Sequence, residues 1–389
     1  MGKPEIRFKG YTDEWEQRKL GDIATFINGR AYSQDELLSS GKYKVLRVGN
    51  FYTNDSWYYS DMELDDKYYA EKGDLLYTWS ATFGPHIWRG DKVIYHYHIW
   101  KIELSKALEK SFALQLLEQD KQAILSDKNG STMVHITKAG MEGKEVLLPR
   151  NINEQAKIGN YFSTLDNFIT LHQRKCDEVK SLKKYMLQKM FPQNEQKIPE
   201  IRFEGFTEAW EQRKYAEVIE LLSGQDFNPE EYNEDGIGIP YLTGASCIEN
   251  GCTTAVRWTE KPRCIVEKGD TVLVCKGSGY GTIATVNQEK AHIARQFMAL
   301  KVKKHELDYR FNYFLLNSVV ENIKTDARGL IAGIARDAVL KQEIVIPCLN
   351  EQTKIGEYFD NLDKMITLHQ QKYEELKKIK KFMLQKMFV

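Results

Sequence analysis

The most constraining feature of this chain is an internal repeat in which only the ends recur. The segment PEIRFKGYTDEWEQRK at 4–19 returns as PEIRFEGFTEAWEQRK at 199–214, with 12 of 16 residues identical. The segment at 153–190 returns at 350–387 with 25 of 38 residues identical. The stretches between, 20–148 and 215–346, share little beyond a Lys-Gly-Asp tripeptide. A duplicated frame with two different inserts can hold two unlike recognition surfaces in a symmetric arrangement.

The second repeated segment has the pattern of a long helix in both copies. Its apolar positions advance alternately by four and three residues, which is the spacing of a coiled-coil seam. The seam positions are Ile158, Phe162, Leu165, Ile169, His172, Cys176 and Val179, then Ile355, Phe359, Leu362, Ile366, His369, Tyr373 and Leu376. So narrow a stripe requires a partner helix, and the first helix must lead back toward the second insert. The pattern therefore predicts an antiparallel pair.

The helices are expected to follow strands. The β-like runs EVLLP and EIVIP end at Pro149 and Pro347, and a polar Asn-Glu-Gln sequence follows each of them. Asn is a favoured residue at helix N-caps, so Asn153 and Asn350 are predicted to cap the two helices.

The inserts are rich in short alternating, β-branched or aromatic runs and carry helical patterns only over 112–125 and 309–322. We therefore expect an α+β fold with two similar α/β-mixed domains, separated by two long helices and related by a pseudo-two-fold repeat. The predicted boundaries are collected here: 1–150 for the first domain, 151–191 for its helix, 192–198 for a linker, 199–347 for the second domain and 348–389 for its helix.

Composition limits the function classes. The chain has no signal-peptide core and no apolar run of membrane-spanning length, so we expect a cytoplasmic protein without membrane contact. No Cys pair has metal or redox spacing, and His96 and His98 lack a third ligand. Nucleotide-binding, hydrolase and amino-methyltransferase motifs are missing as well. The sequence indicates a binding protein rather than an enzyme.

Charge balance bears on nucleic-acid binding. The chain has 55 basic and 55 acidic residues, whereas sequence-independent DNA affinity comes from lysines and arginines that meet phosphates. A local patch or a basic partner can supply that field. We expect the chain alone to bind DNA weakly.

Candidate base-reading residues lie in the loops that follow the two Lys-Gly-Asp strands and at further polar or aromatic positions of each insert. Small residues let backbone approach a surface, and hydroxyl, amide and basic groups hydrogen-bond base edges. In the first insert the candidates are Arg30, Tyr32, Arg47, Asn50, Ser80, Thr82, Phe83, His86 and His98. In the second insert they are Gln225, Lys276, Ser278, Tyr280, Arg295 and Gln296. Either loop taken alone is also compatible with an ordinary β-turn.

The distal ends of both helices become basic and carry a repeated apolar cluster. A solvated lysine face is one reading, and a face for phosphate or an acidic partner is the other. The apolar residues suit docking of another protein, and they are Met186, Leu187, Met190, Met383, Leu384 and Met387.

Together these segments resemble the DNA-specificity subunit of type I restriction-modification enzymes. The resemblance covers essentially the whole chain and rests on the NEQ-x-KIG-x-YF-x-x-LD helix openings at 153–166 and 350–363, the strand-proline endings, KGDLLYTWSATFG and the EWEQRKLGDI-like domain starts.

The resemblance implies that each domain is a target-recognition domain for one half of an asymmetric, bipartite site in double-stranded DNA. It implies that the helices set the separation of the halves and bind two methyltransferase (modification) subunits, to which restriction-translocation subunits attach. No cofactor is then expected in this chain, and S-adenosylmethionine, ATP and Mg are expected on the partner subunits.

Two other classes of function stay open at this point. One is a self-contained nuclease or methyltransferase with two DNA-reading domains, which would need a cofactor motif. The other is a coiled-coil scaffold with two protein-binding heads, which would not bind DNA.

Overall fold

A computed structural model describes residues 3–52, 54–80, 82–126, 136–193, 196–277, 279–325 and 333–388. The chain divides into two compact units. Unit 1 comprises Met1–Gln173 and Gln371–Val389, and unit 2 comprises Arg174–Gln370. Each unit therefore combines one insert with the beginning of one long helix and the end of the other.

The described residues of unit 1 form ten strands, which are β1 Glu16–Lys19, β2 Ala24–Asn28, β3 Tyr43–Leu46, β4 Tyr58–Ser60, β5 Tyr69–Ala70, β6 Leu75–Thr78, β7 Gly84–Ile87, β8 Val93–Tyr95, β9 Ile99–Leu104 and β10 Glu145–Leu148. Its helices are α1 Leu20–Ile23, α2 Lys110–Ser126, α3 Lys138–Glu142 and the first part of α4 Ile152–Met190.

Unit 2 contains β11 Glu211–Lys214, β12 Ile219–Ser223, β13 Ile239–Leu242, β14 Ile248–Glu249, β15 Cys252–Thr253, β16 Trp258–Thr259, β17 Ile265–Glu267, β18 Thr271–Val274, β19 Ile283–Thr285, β20 Lys290–Ile293, β21 Phe297–Val302 and β22 Glu343–Ile346. Its helices are α5 Tyr215–Val218, α6 Tyr309–Thr325, α7 Arg336–Lys341 and the first part of α8 Leu349–Met387.

The two inserts share one topology although their sequences differ. One sheet has the order β2-β9-β6-β7 in unit 1, and β12-β21-β18-β19 in unit 2, where β15 and β14 extend it. A second sheet has the order β4-β3-β8-β5 in unit 1 and β16-β13-β20-β17 in unit 2. A two-stranded pair, β1-β10 or β11-β22, joins the start of each domain to the strand before its long helix. The predicted α+β fold with two similar domains is confirmed.

The long helices pair antiparallel, as predicted. In unit 1 the Lys380 Nζ lies 2.6 Å from an Asp166 carboxylate oxygen. In unit 2 the Lys183 Nζ lies 2.5 Å from Asp363. Most of the predicted seam positions are buried, including Ile158, Phe162, Leu165, Cys176 and Val179 of α4 and their equivalents Ile355, Phe359, Leu362 and Leu376 of α8.

The predicted helix caps are wrong by a few residues. Helix α4 begins at Ile152, and the side chain of Asn151 accepts the backbone N–H of Asn153 at 2.9 Å. In the second copy the equivalent residue is Cys348, whose backbone oxygen accepts the N–H of Glu351 at 3.0 Å. Asn153 and Asn350 themselves lie inside the first turns. The residue directly before each helix is thus the capping residue, Asn151 for α4 and Cys348 for α8.

The Asn-Glu-Gln motif joins each helix to its domain. Buried Gln155 donates to Pro149 and Ala107 carbonyls at 2.8 and 3.0 Å and accepts the Glu109 N–H at 2.8 Å. Gln352 makes the matching bonds to Pro347 and Glu306 at 2.9 and 3.1 Å, and accepts from Asp308 at 2.9 Å. A buried amide with all three partners fixes the helix start against the domain.

The preceding glutamate anchors the domain's opening segment. Glu154 forms a bidentate pair with Arg7 at 2.6 and 2.8 Å, and Glu351 forms one with Arg202 at 2.7 Å on both nitrogens. Both glutamate side chains are almost completely buried, which explains why PEIRF and NEQ recur together.

The far end of each helix enters the core of the unit in which the other helix begins. In unit 1 the Phe388 ring stacks on Phe112 at 5.2 Å. In unit 2 the Phe191 ring stacks on Phe311 at 5.4 Å. The backbone repeats the match, because Ile6 donates to Lys386 at 3.0 Å and Ile201 donates to Lys189 at 2.9 Å.

Among the described residues, no helix is long and apolar enough to cross a membrane.

Candidate nucleic-acid interface

Three segments of unit 1 meet at one edge of the domain. They are the chain after β2 (29–32), the β6–β7 turn (79–83, of which residue 81 lies outside the described residues) and the β8–β9 turn (96–98). The Arg30 N–H donates to the Tyr95 carbonyl at 3.1 Å, and the Trp79 N–H donates to the His98 carbonyl at 3.2 Å. We call these three segments turn cluster 1.

Unit 2 brings the same three connections together. They are the chain after β12 (224–227), the β18–β19 turn (275–282, of which residue 278 lies outside the described residues) and the β20–β21 turn (294–296). The Gln225 N–H donates to Ile293 at 3.0 Å, and the Cys275 N–H donates to Gln296 at 2.7 Å. We call these segments turn cluster 2, and its backbone bonds match those of turn cluster 1.

A glycine at one position makes both clusters possible. A Cβ on Gly29 would lie 2.4 Å from the carbonyl oxygens of Tyr95 and His96, and one on Gly224 would lie 2.1 Å from that of Ala294. No side chain fits so close to a backbone oxygen. Gly29 and Gly224 recur at the same point of two unlike inserts. The close approach of this segment to the carbonyl groups of the facing turn is therefore a feature that both domains share.

Turn cluster 1 has an aromatic and histidine-rich surface. The Trp79 ring lies 5.0 Å from His98 and 5.9 Å from Trp100, measured between centroids. Tyr97, at the tip of the β8–β9 turn, is 39% exposed. Tyr52 in the neighbouring loop is 44% exposed. Flat rings with polar edges suit contact with bases and sugars. Sequence reasoning missed Trp79, Tyr97 and Tyr52, although YHYHIW and NFY place aromatic residues beside chosen candidates.

His86 is held neutral by its surroundings. Its ring stacks on Phe51 at 4.1 Å, and its Nε2 lies 3.2 Å from the Tyr52 hydroxyl. Burial, with a smaller contribution from nearby Lys121, lowers the His86 pKa from 6.5 to about 4. The neutral ring orients the hydroxyl of the exposed Tyr52. His86 therefore supports this surface from beneath and is not its outermost residue.

Three other candidates in unit 1 shape loops. Both terminal nitrogens of Arg30 bond Glu36, at 3.0 and 2.6 Å, and this pairing lowers the Glu36 pKa to about 2. The Arg47 guanidinium lies over the Tyr58 ring at 4.2 Å. The Asn50 side chain donates to the Asn54 and Ser56 carbonyls at 3.0 and 2.9 Å and accepts from Arg47 N–H. These polar groups are engaged within the domain.

The remaining candidates of unit 1 differ in exposure. Thr82 is exposed and Ser80 is partly exposed at the β6–β7 turn. Tyr32 is partly buried beside Arg30, where desolvation raises the pKa of its hydroxyl. Phe83 is only 5% exposed and belongs to the hydrophobic core, and its assignment as a DNA contact stays a prediction. Its apolar ring follows the exposed turn directly but faces the interior.

Turn cluster 2 presents polar and cationic groups instead. Gln225, Lys276, Arg295 and Gln296 are exposed, and Tyr280 is partly buried against the core with the Lys324 Nζ 5.5 Å from its ring centroid. Ser278 lies outside the described residues. The two clusters thus share a backbone and differ in chemistry, as expected of two readers of different sequences.

The apolar residues predicted as a docking surface lie against the chain's own cores. Met190, Leu384 and Met387 are 2%, 6% and 2% exposed, and their assignment as docking residues stays a prediction. Met186, Leu187 and Met383 are partly buried and pack against the same cores. The physical reason is that each helix end closes the core of the domain at which the other long helix begins. Among the described residues, no group of three or more His, Cys, Asp or Glu could hold a metal ion.

Comparison with known proteins gives a consistent result. A family model described as the type I restriction modification DNA specificity domain matches residues 12–181 and 207–378. The type I restriction enzyme MjaVIII specificity subunit of Methanocaldococcus jannaschii is 24% identical over 95% of this chain and 91% of that protein.

Solved structures agree on the fold. The S subunit of a type I restriction-modification system from M. genitalium has a TM-score of 0.70 at 17% identity, over 100% of this chain and 99% of that one. A chain from a structure of type I R-M complex assembly and conformational transition has a TM-score of 0.50 at 16% identity, over 97% and 98%.

Two matched family domains, the duplicated frame and the paired turn clusters agree. The chain belongs to the type I restriction-modification DNA specificity family, as a specificity subunit with two DNA-recognition domains.

Proposed function

We propose that turn clusters 1 and 2 are the base-reading surfaces, each of which recognises one half of a bipartite, asymmetric site in double-stranded DNA. The observation that carries the proposal is the conjunction of an identical backbone frame with different exposed side chains. Gly29 and Gly224 hold the same crossing, while Tyr97 occupies the turn tip in one cluster and Arg295 in the other.

The long helices set the separation of the two half-sites. Helices α4 and α8 each continue from one compact unit into the other without interruption. Interhelical ion pairs and a buried seam stiffen them within each unit. Two continuous helices of fixed length suit a constant spacer between the half-sites.

Catalysis belongs to partners in this proposal. Two methyltransferase subunits dock on the specificity subunit, restriction-translocation subunits attach to them, and S-adenosylmethionine, ATP and Mg bind to these partners. The neutral net charge supports this division, since 55 basic and 55 acidic residues leave no excess charge for a non-specific DNA clamp. The assembly acts where DNA and these cofactors meet, in the cytoplasm.

The base-reading surfaces are tested by two paired variants in the complex with methyltransferase subunits. Ser80→Ala with His86→Ala is expected to relax discrimination in one half-site, and Lys276→Ala with Tyr280→Ala in the other. Losing a good base contact costs about 1–3 kcal/mol of discrimination. The measurement is genome-wide mapping of methylated bases, with folding checked by thermal unfolding. Unchanged preference in both folded variants would remove these turns from the reading surface.

The two alternative functions, an enzyme and a protein-binding scaffold, predict different results. A self-contained methyltransferase would methylate DNA as a purified chain with S-adenosylmethionine, and a self-contained nuclease would cleave it. A protein-binding scaffold would show no sequence-dependent DNA binding in any complex.

A further inference from the structure

Arg295 is the middle residue of the β20–β21 turn (294–296) in turn cluster 2. Its side chain is 74% exposed. The matched position in turn cluster 1 is Tyr97, because the Gly29 N–H bonds Ile99 and the Gly224 N–H bonds Phe297 in the same way. Tyr97 is also exposed. The shared frame thus presents one outward side chain at the same place in each domain.

Asp226 fixes how Arg295 is presented. One carboxylate oxygen accepts the Arg295 backbone N–H at 3.0 Å, and the other lies 2.7 Å from the Arg295 Nε. The carboxylate therefore holds both ends of the same residue. Asp226 comes directly after Gln225 in the segment that crosses at Gly224, so its own position is set by the frame.

This side-on contact leaves the end of the guanidinium available. Nε is the nitrogen closest to Asp226, and within the described part of the chain neither terminal nitrogen of Arg295 donates a hydrogen bond to the protein. A guanidinium held through Nε presents its two terminal nitrogens as a planar fork. That fork matches the O6 and N7 acceptors of guanine in the major groove, and no other base pair offers two acceptors on one purine edge.

We propose that Arg295 reads a guanine in the half-site of the second domain, with Asp226 as its positioning residue. This inference rests on the proposed function of turn cluster 2 and adds the base that it recognises. A phosphate contact is the competing role for an exposed arginine, and it makes different predictions, since phosphate carries no sequence information.

The test uses the complete chain in complex with its methyltransferase subunits. Methylation mapping of the wild-type complex first defines the bipartite site. Competition binding then measures affinity for the site and for variants in which each G·C pair is replaced in turn. Arg295→Lys keeps the charge but loses the fork, so it is expected to lose roughly 5- to 150-fold discrimination at one guanine and none elsewhere. Asp226→Asn is expected to weaken discrimination at that same guanine.

Lys304, beyond the opposite end of β21, provides a matched control. The six residues of β21 separate it from the β20–β21 turn, which is roughly 20 Å at about 3.3 Å per residue, so Lys304→Ala should leave every base preference unchanged. If Arg295→Lys keeps all base preferences, the guanine assignment is wrong. Uniform weakening by Arg295→Ala, with a salt dependence reduced by about one charge, would assign Arg295 to phosphate instead. Failure of the wild type to recognise a bipartite site would overturn the proposed function itself.

Discussion

At the scale of single residues, the recurring motifs form hydrogen bonds and ion pairs that connect segments distant in sequence. Gln155 and Gln352 each satisfy three backbone groups, and Glu154 and Glu351 each pair with an arginine almost 150 residues away. Neither motif lies in a turn cluster. Repetition of NEQ and PEIRF therefore reports the shared frame rather than the reading surface.

Replacing the buried glutamine tests this reading. Gln352→Leu leaves the Pro347 and Glu306 carbonyls and the Asp308 N–H without their partner, so we expect the free energy of unfolding of unit 2 to fall by about 2–4 kcal/mol. Urea denaturation monitored by hydrogen exchange measures it. The exposed Gln385→Leu serves as control and should change stability by less than about 0.5 kcal/mol. Equal effects of both substitutions would contradict the role of Gln352.

The pKa of His86 predicts a pH dependence of stability. Its pKa is about 4 in the folded protein against 6.5 as the ordinary value, because burial disfavours the charged ring. The unfolded chain thus binds more protons as pH falls below about 6.5, and stability decreases from there toward pH 4. Thermal unfolding between pH 7 and 5 should show this loss, and His86→Gln should make it shallower. An identical slope in the variant would refute the assignment.

At the scale of elements, each long helix completes the core of the domain near the other helix's start. Phe388 and Phe191 are 6% and 2% exposed and occupy matching positions among aromatic rings. Burial of a phenyl ring in a packed core stabilises strongly, so these terminal residues hold the helix ends in place.

The two phenylalanines form a matched pair of variants. Phe388→Ala should destabilise unit 1 by about 3–5 kcal/mol, and Phe191→Ala should do the same to unit 2. Hydrogen exchange resolved by peptide is expected to rise in β1 and α2 for the first variant and in β11 and α6 for the second. Increased exchange confined to the opposite unit would contradict the packing described for each helix end.

What the sequence could predict depended on the range of the interactions. The heptad-like seam is a local periodicity, so both helices and their antiparallel pairing could be predicted. The packing of the Met-rich helix ends could not be predicted, because it depends on tertiary contacts with the chain's own domain cores, as for Met387 in the core that contains Trp15. The Asp226–Arg295 contact joins residues 69 positions apart and leaves no local pattern. The burial of Phe83 next to exposed Thr82 could not be predicted either, because exposure alternates within one turn.

At the scale of the whole molecule, one frame is used twice with different surfaces. Both domains share the strand order of the main sheet, the close backbone approach at Gly29 or Gly224, and the contacts of the Asn-Glu-Gln motif. The exposed side chains of turn clusters 1 and 2 differ. Such a division separates stability from specificity. Under the proposed function, a different insert would change one half-site without disturbing the helices that connect the domains.

Exchange of one insert tests this claim most directly. Residues 215–346 are replaced by the corresponding insert of another specificity subunit, and methylated bases are mapped across a genome that carries the exchanged chain with its partner subunits. The account predicts a new sequence in one half-site only, with the other half-site and the spacer between them unchanged. A change in both half-sites, in neither, or in the spacer length would contradict two independent readers on a frame of fixed length.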